Sequence, residues 1–172
     1  MSYASALDRL HALGQELHTA PGAPRRKFEL EHMRTLMAAL GNAERKFKPI
    51  LVAGTNGKGS TASTLASILA RAGYKVGLYT SPHLSRVNER IQVNGVTIPD
   101  EDFATLFNRV EEIATTLVRG GRLPGLPSFF ETVTAIAFLY FATSDVHTAV
   151  LEVGMGGRLD ATNVVEPLVR PL

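Results

Sequence analysis

The sequence predicts an α/β fold with a mostly parallel sheet flanked by helices, built around a phosphate-loop-like turn, and three observations carry that prediction. Short apolar runs alternate with segments of helical period. A glycine-rich turn, Gly54-Thr-Asn-Gly-Lys-Gly-Ser60, stands between the first apolar run and a helix. A later run, Thr148-Ala-Val-Leu-Glu-Val153, follows an apolar helix and ends in glycines. At 172 residues, 45% of them hydrophobic and 20% charged, the chain is long enough to bury one core and too short for two full domains. Residues 1–172 are therefore read as one unit.

Taken in order, Leu7, Leu10, Leu13 and Leu17 fall at helical spacing, as do Leu30, Met33, Met37 and Leu40. Pro21-Gly-Ala-Pro24 separates the two helices and Gly41 stops the second. Pro49-Ile-Leu-Val-Ala53 is the first strand, and a helix from Ser60 to Ala72 presents Leu65, Ile68, Leu69 and Ala72 before Gly73. Lys75-Val-Gly-Leu-Tyr79 is a second buried strand, so the first β-α-β unit is expected to be parallel and right-handed. Ile91-Gln-Val93 and Val96-Thr-Ile98 flank Asn94-Gly95, the signature of a tight hairpin, which is read as an excursion outside the main sheet. Asp100 reads as the N-cap of a helix carrying Phe103, Leu106, Phe107, Val110, Ile113 and Leu117, ended by Gly120-Gly121. From Ser128 to about Ala142 nearly every side is apolar, which describes a buried helix ahead of the strand at 148–153.

Composition removes several function classes. Eighteen basic residues against 16 acidic ones leave a net charge of +2, too little for a surface built to hold nucleic acid or an anionic membrane. There is no cysteine, which removes disulfides, thiolate metal sites and thiol nucleophiles. The first residues carry charge among their apolar positions, and no apolar run approaches the roughly 20 residues that span a bilayer. The expectation is a cytoplasmic protein with neither membrane nor nucleic acid as a partner.

The chemistry gathers at the glycine turn. Free N–H groups and the dipole at a helix start favour an anion, Lys58 adds a charge for β- and γ-phosphates, and a hydroxyl of Ser60 or Thr61 could reach Mg²⁺. The segment departs from the strict Walker pattern, because Gly59 separates Lys58 from Ser60 and the spacing before Lys58 is compressed. A plain glycine turn with a solvated lysine is the alternative. Glu152, inside an apolar strand that runs into Gly154, puts a carboxylate at the sheet edge where open α/β folds bind ligands. Buried there it needs a metal ion, or a salt bridge such as one with Arg158.

Other polar groups are less specific. Ser81, at the exit of the second strand, can supply an oxygen ligand or simply open a Ser-Pro turn. No role falls to His83. Ser128-Phe-Phe-Glu131 fits the S-x-x-E capping box, while Phe129 and Phe130 can wall a flat heterocycle or fill the core. Arg158, Asp160 and Asn163 lie at the ligand edge, where Asx-type turns would equally explain Asp160 and Asn163.

Four segments, in this order, together resemble the folylpolyglutamate synthase/dihydrofolate synthase family, related to the Mur ligases. They are Ala53-Gly-Thr-Asn-Gly-Lys-Gly-Ser60, Tyr79-Thr-Ser-Pro-His-Leu84 with Asn88-Glu-Arg-Ile91, Ser128-Phe-Phe-Glu131, and Leu151-Glu-Val-Gly-Met-Gly-Gly-Arg-Leu-Asp-Ala-Thr-Asn163. The resemblance implies a reaction in which ATP phosphorylates the carboxylate of a pteroate or folate and the amine of L-glutamate attacks the acyl phosphate. It implies that Thr55, Asn56, Gly57, Lys58, Gly59 and Ser60 hold ATP, and that Ser81 and Glu152, with Ser60, bind Mg²⁺. Lys58 and Glu152 then carry the catalytic roles. Residues 26–29 loosely, Ser128, Phe129, Phe130 and Glu131, and Leu159, Asp160 and Ala161 match regions that contact dihydropteroate.

Members of the family are far longer and are expected to be monomers at full length. The part of them with no counterpart here holds a second-metal histidine, a carbamylated lysine, the adenine and ribose contacts and a carboxy-terminal domain. The resemblance therefore implies an amino-terminal portion that is inactive alone and liable to associate through an unpaired sheet edge. Two rivals stand beside it: a Mur-type ligase of a peptidoglycan precursor, and a non-catalytic nucleotide-binding remnant.

Overall fold

The computed structural model describes residues 2–15, 30–154 and 160–168. Five strands, β1 (Lys48–Val52), β2 (Val76–Tyr79), β3 (Ile91–Val93), β4 (Val96–Thr97) and β5 (Thr148–Glu152), form one sheet in the order β1-β5-β2-β3-β4. β5 lies between β1 and β2 and pairs parallel with both, so Thr148 lies opposite Lys48 on one side and Val76 on the other. All five of its residues are buried, as a strand covered on both faces requires. β1 and β2 are parallel, as the first β-α-β unit predicts, and the last strand in sequence inserts between them.

The hairpin corrects the sequence reading. It is no excursion: β3 pairs antiparallel with β2, setting Ile91 against Tyr79, and β4 extends the same sheet. Asn94 and Gly95 both adopt positive φ, as their turn demands. Asn94 also accepts the Val76 N–H through Oδ1 at 2.8 Å, while its own N–H donates to the Val76 carbonyl at 2.9 Å. The turn thus closes the start of β2, and burial of Ile91 in the core pulls the hairpin into the sheet.

Four helices, α1 (Tyr3–Gln15), α2 (Leu30–Ala39), α4 (Asp100–Arg119) and α5 (Phe129–Thr143), share the large core on one face. α3 (Lys58–Arg71) lies on the other, over Val76, Leu78 and Val150. The two-residue alternation of β5 assigns Ala149 and Leu151 to the large core and Val150, hence Glu152, to the α3 side. Gly77 faces the large core, where a Cβ would stand 2.8 Å from the Phe141 ring, so glycine there lets α5 pack directly on the sheet.

Asp100 is a second correction. Pro99 occupies the cap position of α4, and Asp100 is the first helical residue. Its carboxylate suits the helix dipole, but its oxygens accept from Arg86 at 2.7 and 2.8 Å and from Asn88 at 3.0 Å instead of capping the backbone. The Leu168 N–H reaches the Pro49 carbonyl of β1 at 2.9 Å. Among the described residues no helix is long and apolar enough to cross a membrane.

Candidate functional site

Because β1, β5 and β2 are parallel, their exits open onto one edge of the sheet, and the residues singled out in the sequence lie there. β1 leads into the glycine turn, with Thr55 and Asn56 exposed and Gly57 at φ 72° as the residue before α3. That left-handed conformation favours glycine. The helix begins at Lys58, slightly earlier than periodicity suggested, so the first-turn N–H groups of Lys58, Gly59 and Ser60 have no partner within the helix. This is the arrangement an anion needs, and Lys58 is the first residue of the helix that provides it.

Glu152 ends β5 and is 5% exposed. Its Oε2 accepts the Ser81 backbone N–H at 2.9 Å, which joins residues 71 apart in sequence. A Cβ on Gly59 would stand 3.4 Å from the same oxygen, so the carboxylate lies in van der Waals reach of the glycine turn. Gly59, Ser81 and Glu152 therefore meet. Ser81 contributes its backbone to that contact, and Ser60 lies exposed on the first helical turn. Among the described residues no lysine, arginine or histidine nitrogen comes within 4.0 Å of Glu152. Arg158, the alternative partner, lies outside them.

A buried carboxylate with no cationic partner among the described residues fits a divalent metal. Among the described residues no three His, Cys, Asp or Glu side chains group as a metal cage. The cation that suits Glu152 is thus one that takes few protein ligands and completes its shell with water and phosphate oxygens, as Mg²⁺ does.

A second group adjoins the first. Ser128 and Glu131 form the capping box of α5: Glu131 Oε2 accepts the Ser128 N–H at 2.7 Å, and Ser128 Oγ accepts the Glu131 N–H at 3.3 Å. The cap aims Phe129 and Phe130 at the site edge. A Cβ on Gly154 would lie 2.7 Å from Phe130 and 3.3 Å from Asp160, so those two residues close on the turn that follows β5. Asp160 Oδ1 accepts from the Thr162 N–H at 3.0 Å and hydroxyl at 2.6 Å, the Asx-type turn foreseen, and Ala161 is buried in the core. Residues 26–29, Arg158 and Leu159 lie outside the described residues.

The sequence reading passed over three neighbours. Tyr79 packs 6.0 Å from Phe130, and its hydroxyl is pushed up to about 12, chiefly by burial, against the Thr134 hydrogen bond and the charge of Arg90. His83 lies 6.5 Å from the Phe129 ring and is lowered, first by burial and then by Arg90. Arg90 lies over Phe129 at 5.2 Å. The available signal was the charged Glu89-Arg90 pair directly ahead of an apolar strand.

No protein-family model matches the chain. It is 48% identical over 141 residues to the dihydrofolate synthase/folylpolyglutamate synthase of Bacillus subtilis, covering 81% of this chain and 32% of that protein. With the folylpolyglutamate synthase of Lacticaseibacillus casei it shares 43% over 146 residues, 83% of this chain and 33% of the relative. The crystal structure of folylpolyglutamate synthase from Thermotoga maritima superposes with a TM-score of 0.81 at 45% identity, over 96% of this chain and 37% of that one. An FPGS–AMPPCP–folate complex gives 0.84 at 36% identity, over 98% and 39%. The chain spans about a third of the length of the curated relatives it matches.

Proposed function

Since this chain belongs to the folylpolyglutamate synthase/dihydrofolate synthase family, matching the amino-terminal part of its members, we propose that it is the ATP- and acceptor-holding portion of an ATP-dependent ligase. The ligase joins L-glutamate to dihydropteroate, to a folate, or to both. The single observation that carries this reading is Glu152: a buried carboxylate with no cationic partner among the described residues, placed against Gly59 of the phosphate turn and the backbone of Ser81.

In this reading the N–H groups of Lys58, Gly59 and Ser60 hold phosphate oxygens, and the Lys58 ammonium offsets charge that develops on the transferred phosphoryl group. Glu152, with the hydroxyls of Ser60 and Ser81, would hold Mg²⁺, which when bound neutralises phosphate charge. Phe129, Phe130 and Asp160 form the acceptor side, held in place by the Ser128–Glu131 cap and the turn at Ala161. An acceptor carboxylate oxygen placed there takes the γ-phosphoryl group as ADP departs. The glutamate amine then forms the amide bond, and phosphate leaves with the carboxylate oxygen.

The likeness to a complex holding AMPPCP and folate supports both ligand classes. The test is calorimetric binding of Mg·ATP to the chain and to Lys58→Ala and Glu152→Ala, followed by dihydropteroate- and glutamate-dependent ADP release from the full-length polypeptide. Each variant is expected to lose at least about tenfold in affinity, the scale of one charge-assisted contact. Undiminished binding in both variants sinks the site. Binding without ADP release leaves a nucleotide-binding module and rejects the ligase.

A further inference from the structure

We propose that Arg90 is a carboxylate-binding residue on the acceptor side, taking an aryl carboxylate into its guanidinium fork while the aryl ring lies against Phe129. The identification of the carboxylate as that of a pteroate-type acceptor rests on the ligase reading; the site itself does not.

Arg90 ends the short 3₁₀ turn Val87–Arg90 and leads into β3. Its carbonyl accepts the Thr80 N–H at 3.1 Å, which pins it beside the Thr80-Ser81 exit and so next to the Glu152 side of the site. The residue is 9% exposed. An arginine stays charged at any working pH, and a buried guanidinium without an anion is costly. Among the described residues no carboxylate lies within 4.0 Å of it. Its Nε–H donates to His83 Nδ1 at 2.8 Å, and its plane is carried by the Phe129 ring at 5.2 Å. The guanidinium also donates to the Tyr79 hydroxyl, so its partners among the described residues are neutral groups and no Arg90 nitrogen is left enclosed without one.

The neighbouring sequence sharpens the point. Arg86, which is exposed, receives both oxygens of Asp100 at 2.7 and 2.8 Å. Glu89, adjacent to Arg90, spends its carboxylate on the backbone N–H groups of Leu84, Ser85 and Arg86. The exposed arginine is thus supplied with a carboxylate and the buried one, among the described residues, is not. His83 fixes the fork's direction by accepting at Nδ1. Phe129, itself stacked on His11 at 6.4 Å and 4°, supplies a flat apolar surface beside the charge. A planar ring ending in a carboxylate matches both features.

The experiment compares Kd values for p-aminobenzoate, aniline, L-glutamate and pteroate on the full chain, wild type and the variants Arg90→Met and Arg90→Lys. Wild type is expected to prefer p-aminobenzoate over aniline by roughly 10- to 100-fold, the range of a charge-assisted hydrogen bond. R90M should bring that ratio near unity and R90K keep part of it. The ratio is taken within one preparation, so a poorly folding variant still reports it. An unchanged ratio in R90M, or no preference in wild type, overturns the assignment and leaves the ligase reading untouched. Arg90-dependent binding of glutamate alone likewise overturns the aryl-carboxylate assignment and gives the guanidinium to the amino acid. Arg90-dependent binding of p-aminobenzoate with no binding of pteroate keeps the site and rejects pteroate as its occupant.

Discussion

Glu152→Gln separates stability from ligand binding in opposite directions. In the free protein the carboxylate is 5% exposed, has no cation within 4.0 Å among the described residues, and is held by one hydrogen bond from the Ser81 backbone. Burying such a charge costs several kcal/mol, of which a charge-assisted hydrogen bond returns about 1.5–3 kcal/mol. The amide keeps an acceptor for Ser81 and removes the charge, but brings two N–H donors that need partners. The net is a gain of about 1 kcal/mol, which for a chain of this size raises Tm by about 2–4 °C. With Mg·ATP at about 100 times its Kd, wild type should gain about 2.7 kcal/mol, or roughly 5–10 °C, and the variant far less. Thermal unfolding followed by circular dichroism, with and without Mg·ATP, should therefore show the two melting curves exchange order. A variant that melts several degrees below wild type in plain buffer would mean that Glu152 is structurally satisfied as it stands, and an equal response to Mg·ATP would remove it from the site.

Three further outcomes are expected. Gly77→Ala drives a methyl to within 2.8 Å of the buried Phe141 ring and should cost about 1–3 kcal/mol by overpacking, seen as a lower urea midpoint; an unchanged midpoint would mean that α5 shifts freely on the sheet. Ser128→Ala removes the side-chain half of the α5 cap, with an expected loss of about 1 kcal/mol and a weaker response to pteroate, because Phe129 and Phe130 open the helix it caps; a stability loss with intact pteroate binding would detach the cap from the site. His83 titrates below its ordinary value of about 6.5, so the unfolded chain binds the proton more readily and stability must rise with pH through that window and fall as pH drops below about 6.5. His83→Gln, which keeps an acceptor for Arg90, should flatten that slope in Tm measured from pH 7.5 to 5, whereas an identical slope would assign it to other groups.

Much of the site was legible because its signals are local. The capping box at Ser128 and the Asx turn at Asp160 satisfy backbone donors only a few residues away, and the Gly54–Ser60 turn leaves such donors open, so residue type and spacing state all three outright. Glu152 stood out as a charge inside an apolar strand. What it touches did not, because Ser81 and Gly59 approach it only after β2 and α3 settle on either side of β5. Asp100 misled for a related reason: its residue type suits a cap, but Arg86 and Asn88 reach it first across the fold. Arg90 carried no local mark of its isolation, since the sequence lists carboxylates on every side and only the fold shows them engaged elsewhere.

The sequence by itself determined the elements, their α/β order and the glycine turn, since hydrophobic period and turn chemistry act over a few residues. Tertiary structure alone decided that β5 inserts between β1 and β2, that the hairpin joins the sheet, and that a buried carboxylate and a buried guanidinium end on either side of Ser81. Those arrangements follow from burying two faces of one sheet at once, a condition set by the whole chain and written in no single segment of it.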